Sequence, residues 1–110
     1  MILDQNNNTT IITQEKASVV EMAKKIQTLY PKFKNNNVIV VLTTLKTISL
    51  EDINHFFEIS NKHRAAKHSF VIVSERIDLH AVPDQLMVVP TMQEAYDIIE
   101  MEEIERDLGF

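Results

Sequence analysis

Histidine and carboxylate side chains are the groups in this chain best suited to chemistry, and their spacing limits what they can do. His55 stands four residues after Glu51 and three before Glu58, so a helix would place all three on one patch, with His63 two turns on. A metal site needs converging ligands and further groups to orient them. No such pattern continues through the four histidines, His55, His63, His68 and His80. A solvated polar helix face accounts for the set, so no metal or cofactor is expected. The run Lys62-His63-Arg64-Ala65-Ala66-Lys67-His68 is the one basic patch. It lacks the interleaved aromatics on which bases stack, and a helix C-terminus there would favour positive charge in any case. Serines and threonines are plentiful, but no histidine lies at a recognisable nucleophile spacing. No catalytic residue is assigned.

Composition narrows the classes further. A chain of 110 residues is sized for one domain. The absence of cysteine excludes disulfide scaffolds, cysteine nucleophiles and Cys-ligated zinc. The single glycine, Gly109, excludes the glycine-rich phosphate loop, the dinucleotide fingerprint and the nucleophile elbow. Eleven Lys+Arg against sixteen Asp+Glu give a net charge of −5, which opposes tight binding to phosphate backbones. No window approaches the roughly 18 apolar residues of a membrane span. The N-terminus lacks the basic and apolar regions of a signal peptide, and a cytoplasmic location is expected.

The elements that must position these residues follow from periodicity. Thr9 to Thr13 reads as a strand, with Met1 to Leu3 pairing back across the polar turn Asn6-Asn7-Asn8. Ser18 caps a helix whose apolar face is Val19, Met22, Ala23, Ile26, Leu29 and Tyr30, and Pro31 is expected to stop it. The run from Lys32 to Asn37 reads as a polar loop. Val38 to Leu42 and Ser69 to Val73 are unbroken apolar runs, the mark of strands buried on both faces, and should be adjacent and parallel. A helix from Ser49 to about Ala66 joins them, with Ser49 and Asp52 as a capping box. Leu86 to Val89 is a short strand, and Thr91 caps a last helix with Glu94 as its partner. This alternation predicts a single α/β domain over 1–110, with a mixed four- or five-stranded sheet, parallel central strands and helices mainly on one face.

That order of elements resembles the STAS fold of the bacterial anti-sigma-factor antagonists. Val38-Ile-Val-Val-Leu-Thr-Thr-Leu-Lys-Thr-Ile-Ser-Leu-Glu-Asp-Ile53 is similar to the family's central strand, loop and switch-helix start. Val88-Val-Pro-Thr-Met-Gln-Glu-Ala95 is similar to its last strand and helix start. In STAS switches the second helix opens Asp-Ser-(Ser/Ala)-Gly, and the serine accepts phosphate. Aligned on Ile48, this chain reads Ser49-Leu50-Glu51-Asp52, so leucine stands where the acceptor hydroxyl belongs. The resemblance implies a non-enzymatic interaction or regulatory module without that phosphoswitch. It places partner contacts at Thr44, Lys46, Ser49, Leu50, Glu51 and Asp52, where Glu51 and Asp52 either cap the helix or mimic a permanently phosphorylated state. The tail from Val88 to Phe110 also resembles short bacterial proteins labelled ribonuclease Z by gene neighbourhood. A ribonuclease Z needs a His-x-His-x-Asp-His zinc motif, and no His-x-His pair occurs here. An accessory RNA-binding role in transfer-RNA 3′ processing, or an enzyme with scattered site residues, remain the alternative readings.

The tail itself is unusual. From Glu94 to Asp107 there are seven acids and one base, Arg106. Met92, Ala95, Tyr96 and Ile99 form one apolar stripe, enough to dock a helix. Ile98, Met101, Ile104 and Leu108 form a second that starts on another side. A helix over 91–108 would be about 27 Å long, against about 13 Å for the four-residue strand before it. The distal residues Met101, Ile104, Leu108 and Phe110 therefore either fold back on the first helix or bind a protein partner or a second copy of the chain.

Overall fold

The computed structural model describes residues 1–14, 18–42, 48–75 and 77–109. Five strands form one sheet in the order β1 (Ile2–Asn6), β2 (Thr9–Thr13), β3 (Asn37–Val41), β4 (Phe70–Val73), β5 (Met87–Val89). β1 and β2 are an antiparallel hairpin, and every later pair is parallel, with β3 and β4 in register from Val38↔Phe70 to Val41↔Val73. The expected adjacent parallel centre is thus present. At the hairpin turn Asn7 takes a positive φ of 56°, which an asparagine tolerates better than most residues.

Side-chain alternation sorts the sheet's residues between two cores. Ile12, Val38, Val40, Phe70, Ile72 and Val88 point to one face, where they meet α1 (Val19–Phe33), α2 (Leu50–Asn54) and α3 (Phe57–Ala65). Ile39, Val41, Val71, Val73 and Val89 point to the other, where Ala95 and Ile99 of α4 (Met92–Asp107) cover them. All of β3 and β4 is buried, as continuous apolar runs require. Three helices lie on one face and one on the other. The α/β architecture expected from the sequence, a mixed sheet with parallel central strands and helices mainly on one face, is the architecture observed.

The expected caps form. The Ser18 hydroxyl accepts the Glu21 amide at 3.2 Å, and the Thr91 hydroxyl accepts that of Glu94 at 3.1 Å. Two expectations need correction. Pro31 does not stop α1, which runs on to Phe33: the lost N–H costs one bond in the last turn, and burial of Phe33 in the core, edge-on to Tyr30, holds that turn. The single helix from Ser49 to Ala66 is broken in two, because His55 and Phe56 donate to carbonyls three residues back. The tightened turn brings Ile53, Phe56 and Ile59, spaced by three, onto one buried face.

His63 of α3 is fully buried and pins three segments. Its Nε2 lies 2.6 Å from the Asn36 carbonyl oxygen, which can only accept, so Nε2 carries the proton. Nδ1, 2.7 Å from the Tyr30 hydroxyl, is then the acceptor. Burial lowers the His63 pKa to about 4 against the opposing pull of the Asn36 bond, with the charges of His68 and Arg106 adding to the decrease. Beyond it α3 closes through Lys67, whose φ of 70° is a left-handed value. The Lys67 amide reaches the Arg64 carbonyl at 3.0 Å, and the His68 amide reaches that of His63 at 3.3 Å.

Two outcomes follow. Between about pH 6.5 and 4 the unfolded chain binds a proton at residue 63 that the folded chain refuses, so stability falls as pH falls through that window. The His63 share is roughly 2 kcal/mol between pH 7 and pH 5; urea unfolding should show it, and His63→Gln should flatten that part of the slope. Lys67→Gly should stabilise by about 1 kcal/mol, since glycine adopts the left-handed conformation without a Cβ penalty; an unchanged or lower urea midpoint would contradict this.

Candidate interaction surface

The α2 start is closed upon itself. The Ser49 hydroxyl accepts the Asp52 amide at 3.1 Å, and the Asp52 carboxylate accepts the Ser49 amide at 3.1 Å. Capping is thus the role the geometry gives these two side chains. Leu50, the first helical residue, is exposed, as is Glu51. Thr44 and Lys46 lie outside the described residues, as does Phe110. The histidine–carboxylate set does not assemble: His55, Glu51 and Glu58 face solvent while His63 is buried toward Tyr30 and Asn36. Among the described residues no three His, Asp or Glu side chains converge on a point where a metal would sit. The basic run is dispersed in the same way. Lys62 sits over the Tyr30 ring at 4.9 Å, Arg64 pairs with Glu102 at 3.3 Å, and His63 is internal. No helix among the described residues is long and apolar enough to cross a membrane.

α4 is built differently in its two halves. Its first half docks as the sequence implies: Ala95 is fully buried and Ile99 nearly so, with Met92, Tyr96 and Ile98 packed partly against the same core. Running antiparallel to the parallel strands, it brings its last turns to their N-terminal ends. There the inward-facing side chains are charged. Glu103 accepts from the Asn37 amide group at 3.0 Å, and Arg106 donates to the Ser69 hydroxyl at 3.2 Å and to Asn37 Oδ1 at 3.4 Å. Asn37, buried at the start of β3, also accepts the Ser69 amide at 2.9 Å. On its flank Glu102 holds Arg64.

A helix whose last turns carry polar groups inward must carry its apolar ones outward. Met101, Ile104 and Leu108, spaced i, i+3, i+7, are 49%, 53% and 67% exposed. The expectation that they fold back on the first helix is overturned, because α1 lies across the sheet from α4. Beside Ile104, a groove of about 410 Å³ opens between α4 and the β1–β2 turn, lined by Asn6, Thr9, Tyr96, Ile99, Glu100 and Ile104 among others. The two sets of candidate residues are not brought together: Ser49–Asp52 and the α4 stripe sit at opposite ends and on opposite faces of the sheet. The polar seam of Asn37, Ser69, Glu103 and Arg106 escaped the sequence reading. Its only signal was a triple asparagine ahead of a buried strand.

No family model matches the chain, and no curated protein matches it. Among solved structures, a serine-to-glutamate variant of RsbS from Moorella thermoacetica, a STAS-domain protein, superposes with a TM-score of 0.65 at 10% identity, covering 91% of this chain and 94% of that one. At that identity the likeness establishes the fold, which is STAS-like.

If the seam holds the distal helix, Asn37→Ala should cost about 1–3 kcal/mol, the penalty for stranding the buried Ser69 amide. It should also speed amide exchange over 102–108 ahead of the rest of the chain. Uniform exchange rates in hydrogen–deuterium measurements would refute the seam's local role.

Proposed function

We propose that this chain is a non-enzymatic, STAS-like protein-interaction module that lacks the usual phosphoacceptor serine and presents the outer stripe of α4 to a protein partner. The carrying observation is the inverted distal half of α4, where Met101, Ile104 and Leu108 are exposed while Glu103 and Arg106 are directed inward. A continuous apolar stripe at helical spacing is the form in which helices recognise one another. On the resemblance to STAS switches Leu50 stands where those proteins carry the phosphate acceptor, and Ser49 and Asp52 satisfy one another in the capping box. Regulation by phosphate at residue 50 is thereby closed to this chain. On this reading the protein works in the cytoplasm, and its partner contacts lie on α4 more than at the α2 start.

The test is affinity capture with the tagged full chain and with a Met101→Gln, Ile104→Gln, Leu108→Gln variant. Surface substitutions of this kind change stability by no more than about 0.5 kcal/mol each. The variant should keep its melting temperature and lose the proteins that the parent retains. Identical captured sets from parent and variant would sink the reading.

A further inference from the structure

Resting on that reading, we infer that the α4 stripe docks a basic amphipathic helix of a different protein, not a second copy of this chain. The charges around the stripe select the occupant. Glu100 and Asp107 lie along one side of Met101, Ile104 and Leu108, Glu94 and Glu105 along the other, and Asp97 one turn ahead. All five are exposed. The one cation of α4, Arg106, is directed inward to Ser69 and Asn37 and offers the outer face no compensation. An apolar stripe with acidic margins is complementary to an apolar stripe with basic margins, and like-charge margins cost several kcal/mol at an interface.

The same margins exclude the other occupants. Any two-fold pairing of α4 with its own copy sets carboxylates against carboxylates on both sides. Anionic bilayers and nucleic acids meet the same repulsion. The groove beside Ile104 extends the acidic margin, with Glu100, Glu103 and Asp107 in its lining among asparagines of the β1–β2 turn, and so suits a basic side chain of the incoming helix.

The experiment uses three synthetic helical peptides and the full chain labelled for NMR. The first peptide carries leucine at i, i+3, i+7 with lysine on both margins. The second exchanges its lysines for glutamates, and the third keeps the first's composition with the leucines scrambled. The expected result is saturable binding of the first alone, with shifts centred on the Met101, Ile104 and Leu108 amides. Raising salt from about 50 to about 500 mM should weaken it roughly tenfold, and the triple glutamine variant should weaken it at least about tenfold. Equal binding of the glutamate peptide overturns the charge argument, and equal binding of the scrambled peptide overturns the stripe. Sedimentation showing a dimer that the triple variant abolishes would assign the surface to a second copy. If no peptide binds, the inference fails. The interaction reading falls with it only where parent and variant also capture the same proteins.

Discussion

Asn37 is a polar residue at the first position of a strand closed on both faces, and its amide must be satisfied where water does not reach. It does so by accepting the Ser69 amide and the Arg106 guanidinium and by donating to Glu103. Each of those partners imposes a demand. Ser69 fixes where β4 begins beside β3. Glu103 and Arg106 continue the inward face that Ala95 and Ile99 begin, so the four together hold the rotation of α4, and that rotation sets which way every other position of the helix points. Met101, Ile104 and Leu108 are outside for that reason and not for lack of space within. The outer surface of the helix is thus a geometric consequence of an inward face that is apolar at Ala95 and Ile99 and tied to Asn37 at its distal end.

The same rotation divides charge across the sheet. α1 carries Lys24, Lys25 and Lys32 against Glu21, α3 carries Lys62 and Arg64 against Glu58, and the short α2 between them carries Glu51 and Asp52, which leaves that layer only slightly basic. α4, on the opposite face, carries seven acids against one base that is turned inward. A net charge of −5 conceals this, since it averages a mildly basic layer with a strongly acidic one. The basic patch near the end of α3 is partly consumed by the acidic layer's edge, where Arg64 meets Glu102. What remains of α4's charge faces outward, beside the only large apolar side chains that helix exposes.

Where burial decides the outcome, the fold was legible in the sequence. Val38 to Leu42 and Phe70 to Val73 are apolar on both alternations, so they had to be central, and Ser18, Ser49 and Thr91 announced their helices through side-chain oxygens at the caps. The misses occurred where a tertiary contact overrode a local rule. Pro31 reads as a stop, yet Phe33 beyond it has a place in the core. The stretch from Ser49 to Ala66 reads as one helix, yet Ile53, Phe56 and Ile59 demand a tighter turn at its middle. His63 reads as part of a basic run, yet it is the buried neutral centre of the Tyr30–Asn36 contact. Of the candidate surface, the stripe and its start on a different side from Ala95 and Ile99 were legible, whereas the seam that holds the distal turns was not, because Asn37 and Ser69 lie far from α4 in sequence.

The direction of the stripe carries an energetic argument of its own. Turned by half a revolution, α4 would bury Met101, Ile104 and Leu108, each worth about 1.5–3 kcal/mol when fully buried, and would expose Ala95 and Ile99 in exchange. Here that gain is forgone, and charged hydrogen bonds of about 1.5–3 kcal/mol each hold the opposite face down instead. Such an exchange brings the folded monomer little: it trades one means of docking a helix for another of similar strength. It does leave unspent apolar burial on a rigid element whose attachment does not depend on it. A partner that covers the stripe gains that burial without having to order the helix first, so most of the entropy cost of presenting it has already been met in folding.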